Sequence, residues 1–165
     1  MRYISTRGQA PAVDAAEAII KGLAEDGGLY VPEELPAFFP DNLAKLDYAS
    51  LAKKIFALFL SGFSSREISN LVKASYNTNN FPEGEVGTVS LGDSEVLELW
   101  HGPTAAFKDM ALQALPHLLV RSLAKGGGEK EIVILVATSG DTGKAALEGF
   151  RDVPHTKIIV FYPKD

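Results

Sequence analysis

The sequence contains no cysteine, which excludes disulfide bonds, cysteine-rich zinc sites and thiol nucleophiles, and fits a reducing compartment. Histidine is scarce too: His101, His117 and His155 are the only three, and their spacing matches no metal cluster. The 16 basic residues are outnumbered by 21 acidic ones, for a formal net charge of -5, so the positive excess that a nucleic-acid backbone demands is missing. No apolar run approaches the roughly 20 residues of a membrane span. The first ten residues, MRYISTRGQA, also lack the apolar segment of a secretory signal. These absences lead to the expectation of a cytoplasmic protein whose partners are neither nucleic acid nor membrane.

The rest is ordinary globular material: 165 residues, 46% hydrophobic and 22% charged, enough for one compact domain or for a small domain and part of another. No internal repeat or low-complexity segment occurs. Tyr3 to Thr6 reads as a short strand, with Arg7-Gly8 as its turn and Arg7 as a surface arginine. From Asp14, a good N-cap, to about Glu25, the apolar positions Ala16, Ile19, Ile20 and Leu23 recur at helical spacing, and Gly27-Gly28 is the expected stop. Leu29 to Pro32 is extended, and Pro32, Pro36 and Pro40 keep the next stretch irregular. A helix over about Tyr48 to Leu60 carries the stripe Leu51, Ile55, Leu58 and Phe59. Ser64-Ser-Arg-Glu67 is a capping box opening another, with Ile68, Leu71, Val72 and Tyr76 on its buried face. These stripes read as core.

After Asn77 to Pro82, a loop by composition, the period changes to that of strands. Val86 to Leu91 and Glu95 to Trp100 flank Gly92-Asp-Ser94, the pattern of a β-hairpin. A helix is expected from about Lys108 to Ala124, with Pro116 as a kink and Gly126-Gly-Gly128 as its end. Ile132 to Ala137 is continuously apolar and β-branched, as in a strand covered on both faces. With a helix over Asp141 to about Phe150 and a strand over Lys157 to Tyr162, it makes a strand-helix-strand unit with parallel strands. The expected class is therefore α/β: a mainly helical region over 1–85, then a hairpin and a partial parallel-sheet domain over 86–165. The sequence closes on Pro163-Lys-Asp165, directly after its last apolar strand, where a sheet of this kind calls for another covering helix. The expectation is a part of a longer chain.

Two stretches carry the chemistry. In His101-Gly-Pro-Thr-Ala-Ala-Phe-Lys-Asp109, Lys108 stands at the start of a helix, where the positive end of the dipole disfavours an ammonium group. That placement suits an amine that must lose its proton to attack a carbonyl. Ala105, Ala106 and Phe107 offer an apolar setting, and Asp109 complements the dipole without needing a catalytic role. On the pattern alone, a solvated lysine at a frayed helix start is the favoured reading.

In Ala137-Thr-Ser-Gly-Asp-Thr-Gly143, a turn joins the carboxyl end of the buried strand to the next helix, where open α/β sheets place ligands. Backbone amides with the hydroxyls of Ser139 and Thr142 would favour a carboxylate or phosphate. An ordinary turn capped by Asp141 or Thr142 fits as well. A P-loop is excluded, because only two residues separate Gly140 from Gly143 and Ala145 follows Lys144. So is a hydrolase nucleophile elbow, because Ser139 lacks the flanking glycine spacing.

Together, these two stretches resemble threonine synthase. Asp26-Gly-Gly-Leu-Tyr-Val-Pro32 and Tyr3-Ile-Ser-Thr-Arg-Gly8 are similar to segments of that family's amino-terminal region, and the four occur in the family's order. The resemblance implies a pyridoxal 5'-phosphate enzyme of the tryptophan synthase β-like fold that converts O-phospho-L-homoserine and water to L-threonine and phosphate. It makes Lys108 the catalytic and cofactor-bonding lysine, with Phe107 and Asp141 also at the cofactor. Thr138, Ser139, Gly140, Thr142 and Gly143 become the substrate-binding turn. Asp141 stands where many relatives of the wider fold carry asparagine. The resemblance further implies that the loop for the cofactor's phosphate lies in a carboxy-terminal part beyond Asp165, and that residues 1–165 alone are inactive.

Three alternatives remain beside this one. Another β-replacing synthase or dehydratase of the same fold would lack the Asp26 to Pro32 segment. A non-catalytic anion-binding module would bind phosphohomoserine without cofactor and without need of Lys108. A threonine synthase-like lyase would release a keto acid in place of threonine.

Overall fold

A computed structural model describes residues 1–37, 45–127, 131–138 and 140–164. The chain divides into two units, Met1–Val72 with Arg121–Glu129 and Lys73–Val120 with Lys130–Asp165. Set beside the expected parts 1–85 and 86–165, the first unit closes earlier and takes in a later segment. Pro40 and Ser139 lie outside the described residues, as does Gly128 of the expected glycine stop.

In the first unit, β1 (Tyr3–Ser5) pairs antiparallel with β2 (Tyr30–Pro32), Ile4 opposite Val31. Between them runs α1 (Ala15–Lys21), capped by Asp14, whose carboxylate accepts from the Glu17 amide at 2.8 Å. The helix stops at Gly22, φ 68°, and not at Gly27-Gly28. The amphipathic pattern runs on past the point where a left-handed glycine ends the ladder. Its buried residues are Ala15, Ala16 and Ala18, whereas Ile20 and Leu23 of the expected stripe are exposed.

Gly27 and Gly28 serve a different structure, a clasp around Asp26. The Asp26 carboxylate accepts from the Ser5 hydroxyl at 2.6 Å and from the amides of Gln9, Ala10 and Gly28 at 2.9, 3.0 and 2.9 Å. The Arg7 guanidinium donates to the Asp26 carbonyl at 3.1 Å. A side chain on Gly28 would fall on the Ser5 hydroxyl. The Ser5 hydroxyl first, and then these amides, hold the Asp26 carboxyl down at about 2.

Next come α2 (Tyr48–Phe59), capped by Asp47, and α3 (Ser65–Ser75). The capping box forms in full: the Ser64 amide donates to Glu67 at 2.7 Å, and the Glu67 amide to the Ser64 hydroxyl at 3.2 Å. Ile68, Leu71, Val72 and Tyr76 are buried as expected. By contrast α2 has no fully buried residue, so its stripe Leu51, Ile55, Leu58 and Phe59 is only half-covered.

The second unit opens with the expected hairpin, β3 (Gly87–Leu91) and β4 (Ser94–Glu98), where Leu91 faces Ser94 across Gly92-Asp93 and Gly92 takes φ 60°. The single helix expected over 108–124 is instead two: α4 (Asp109–Leu112) and α5 (Leu115–Lys125). The break precedes Pro116, which thereby stands in the first turn of α5, where a missing amide hydrogen interrupts no ladder.

The strands β5 (Ile132–Ala137) and β6 (Thr156–Phe161) are parallel, with Ile134 opposite Ile158 and Val136 opposite Val160, joined through α6 (Asp141–Phe150). Their burial alternates strictly. Ile134, Val136, Ile158 and Val160 are partly covered, while Val133, Leu135, Ile159 and Phe161 are 47 to 65% exposed. The expected burial on both faces is therefore not met here: α6 covers one face and no described element covers the other. The mixed α/β class holds. Among the described residues no helix is long and apolar enough to cross a membrane.

Candidate active site

The lysine-bearing stretch leaves β4 through Trp100, whose ring stacks on His101 at 5.9 Å between centroids. His101 Nε2 lies 3.0 Å from Glu98 Oε2, and Nδ1 lies 3.6 Å from Glu83 Oε2, which ties the loop at 83 to the end of the hairpin. The chain then turns sharply. The Ala105 amide donates to the Gly102 carbonyl at 3.1 Å, and Ala105 takes φ 57°, a region that side chains with a Cβ seldom occupy.

Asp109 closes this turn. It is fully buried, and its carboxylate accepts from the Thr104 amide at 2.8 Å and the Thr104 hydroxyl at 2.7 Å. Gly102 has no room for a side chain, since a Cβ would stand 2.5 Å from that of Asp109. Asp109 thus turns back on the loop instead of complementing a long helix: α4 is a single turn, so the dipole argument for Lys108 has little to act on.

Lys108 is half-buried, in helical conformation at the N-cap of α4. Its Nζ rests 4.4 Å from the centre of the Phe107 ring and makes no ion pair among the described residues. Phe107 is 63% exposed, so it is a free apolar face and not core. A half-buried amine beside an exposed aromatic ring is a fitting donor set for a planar carbonyl compound.

The glycine turn stands where the pattern placed it, after β5 and before α6. Neither Asp141 nor Thr142 caps the helix; the N-cap is Gly140, with no side-chain bond. Gly140, Asp141 and Thr142 are exposed, and Thr138 is partly covered. Gly143 is buried because a side chain there would collide with the Thr138 methyl and stand 3.0 Å from Val160. Its absence lets α6 settle on the sheet. The amides of Gly143 and Lys144 are already taken by the Gly140 carbonyl, at 3.1 and 3.4 Å, so an anion here would have to use those ahead of them.

The two stretches are joined by packing between α4 and α6. Gly149 lies directly against the Leu112 carbonyl, and Lys144 Nζ is 3.4 Å from the Thr104 carbonyl oxygen. A cleft of about 450 Å³ opens beside that contact, lined by Pro103, Thr104, Lys144, Leu147, Glu148, Arg151 and Ile158. Neither Lys108 nor the described residues of the turn at 138–143 line it. Asp109 and Lys144 were missed as parts of this arrangement. The signal for Asp109 was Thr104 five residues before it, behind a Gly-Pro pair.

Residues 2–76 match the family model described as Threonine synthase N terminus. Over 99% of its length the chain is 44% identical to Threonine synthase from Pseudomonas aeruginosa. The chain matches the amino-terminal part of threonine synthase. It spans about a third of that relative, 35% of its length. It is also 40% identical to Threonine synthase-like 2 from Homo sapiens, over 99% of this chain and 34% of that one. In structure it is similar to PLP-bound Threonine synthase from Brucella melitensis, with a TM-score of 0.90 and 37% identity over 99% of this chain and 36% of the other. The threonine synthase match therefore takes in both units, the lysine segment and the glycine turn.

Proposed function

We propose that this chain contributes the lysine-bearing part of a threonine synthase, a pyridoxal phosphate-dependent lyase that converts O-phospho-L-homoserine and water to L-threonine and phosphate in the cytoplasm. The observation that carries the reading is the presentation of Lys108 and Phe107, an amine and an exposed ring side by side, in a chain whose fold is similar to a PLP-bound relative. Lys108 would bond the cofactor, with Phe107 and Asp141 beside it. Thr138, Ser139, Gly140, Thr142 and Gly143 would meet the substrate carboxylate. When bound, pyridoxal phosphate supplies an electron sink. Lys108 Nζ would take and return protons at the substrate carbons. The Phe107 ring, 4.4 Å from Nζ, would cover one side of the amine.

The test is a pyridoxal phosphate titration of the chain and of Lys108→Ala, followed by borohydride reduction and peptide mapping. The expected result is selective labelling of Lys108. Labelling spread evenly over surface lysines and unchanged in Lys108→Ala would count against the assignment. The chain alone is expected to release no phosphate from phosphohomoserine, and steady release would overturn that part. A second reading, a lyase that yields a keto acid in place of threonine, is separated from the first by product analysis of active protein.

A further inference from the structure

We propose that Asp109 is the positioning residue for Lys108, acting through the backbone and not on the amine. The proposal rests on the reading of Lys108 as the cofactor-bonding lysine. Ala106 is 8% exposed and Asp109 is 0% exposed, while of the two residues between them Phe107 is 63% exposed and Lys108 is half-buried. The reactive pair is therefore carried on two residues bracketed by buried pins.

The downstream pin is held by hydrogen bonds as well as by packing. Both carboxylate oxygens of Asp109 are engaged by Thr104, one by its amide and one by its hydroxyl. The Asp109 amide in turn donates to the Ala106 carbonyl at 3.0 Å. These bonds close the segment from 104 to 109 on itself. Inside it, Ala105 is kept at φ 57°, a conformation that persists only where its surroundings over-determine it.

Gly102 supplies the space. Its bare α-carbon lets the loop lie over the Asp109 side chain, whose Oδ2 would otherwise stand 2.6 Å from an added Cβ. Lys144 adds a strut from α6, with its Nζ near the Thr104 carbonyl. Among the described residues Asp109 forms no ion pair with Lys108, and its two oxygens are directed at Thr104. It is thus placed to fix the peptide from which the lysine departs, not to exchange a proton with the amine.

The two hydrogen bonds predict an order among variants. In Asp109→Asn the side-chain oxygen still accepts from the Thr104 amide, and the side-chain nitrogen donates to the Thr104 hydroxyl, so the clamp survives without its charge. In Asp109→Ala both bonds are lost. Thr104→Val removes one.

The experiment compares these variants and the wild-type chain by three readouts: hydrogen exchange at the Thr104 amide, borohydride-trapped pyridoxal phosphate at Lys108, and acetic anhydride acylation of Lys108 relative to Lys157. Expected are lost Thr104 protection in Asp109→Ala, with selective labelling of Lys108 down at least about tenfold. Asp109→Asn stays within about twofold of wild type, and Thr104→Val falls between. If Asp109→Ala loses its circular dichroism, Asp109→Asn and Thr104→Val decide.

Unchanged Lys108 labelling and acylation in Asp109→Ala would overturn the proposal, as would an Asp109→Asn variant that falls as far as the alanine. A wild-type chain that takes no pyridoxal phosphate at Lys108 counts against the cofactor reading alone. The acylation and exchange arms then still judge the positioning role.

Discussion

Gly149 is where the helix after the glycine turn meets the helix after the lysine, and Gly149→Ala puts that contact to a test of sign. A Cβ there would fall on the Leu112 carbonyl oxygen, 2.9 Å from the carbonyl carbon and 3.7 Å from the Gln113 amide nitrogen. The obstacle is backbone, so no rotamer change relieves it; α4 and α6 must move apart. In an unobstructed helix interior, glycine to alanine stabilises by about 1 kcal/mol. Overpacking against fixed atoms costs about 1 to 3 kcal/mol, and a backbone collision belongs at the upper end. The expected net effect is a loss of about 2 kcal/mol. Trp100, the only tryptophan, lies in the same unit, so its fluorescence during urea unfolding reports on the right part of the chain. An increase in the urea midpoint would mean that helix propensity wins, and the close approach of α4 and α6 would be refuted. The same displacement moves α4, so selective labelling of Lys108 by pyridoxal phosphate should fall in parallel.

The Asp26 clasp gives a pH dependence whose sign is set by its depressed pKa. With the carboxyl lowered from 3.8 to about 2, its contribution to stability is complete above pH 3.8 and is lost as pH falls toward 2. Asp26→Asn should be less stable at neutral pH and flatter across that interval in urea midpoints; a parallel curve would refute the assignment. Glu67 behaves alike. Lys125 at 2.8 Å, and then Ser64, draw its carboxyl from 4.5 to about 2, so Glu67→Gln should also flatten the acid limb of unfolding. On the uncovered face of the parallel pair, Leu135→Ser with Phe161→Ser should shift the stability of this chain by no more than about 0.5 kcal/mol. The double variant should also reduce its self-association in light scattering, because it removes exposed apolar area without opening the core. A loss of several kcal/mol would show that the face is covered after all.

Where a structural cause lies within a few neighbouring residues, it could be read directly. The capping box at Ser64 and Glu67 and the hairpin turn at Gly92 formed where the pattern put them, the turn one residue shorter than Gly92-Asp-Ser94, since each is decided by bonds spanning no more than about four residues. Gly22 shows the limit of periodicity. The apolar spacing continues through Leu23, yet one positive-φ glycine ends the helix, and Leu23 is exposed. Pro116 shows another: a proline inside a helical pattern fits either a kink or the first turn of a new helix, and the choice rests on how α5 packs. The apolar run 132–137 is suited to two covered faces, but cover comes from other parts of a sheet, and among the described residues only α6 provides it.

The lysine segment combines both situations. From the pattern Lys108 reads as a helix-start lysine beside an apolar residue, and the buried carboxylate next to it reads as a helix-start acid. Asp109 and Thr104 are only five residues apart, so distance along the chain did not conceal the bond. Direction did. A helix-start carboxylate ordinarily faces forward to the amides of its own first turn, and here Gly102 opens the space that lets it face backward. Glycine two residues before the threonine is thus as much a part of the arrangement as the acid itself. Gly102→Ala should loosen the lysine in the same way as Asp109→Ala while leaving every polar group of the clamp in place. Unaltered Thr104 exchange and Lys108 acylation in Gly102→Ala would show that the clamp tolerates the added methyl, and that its geometry is looser than 2.5 Å between those carbons implies.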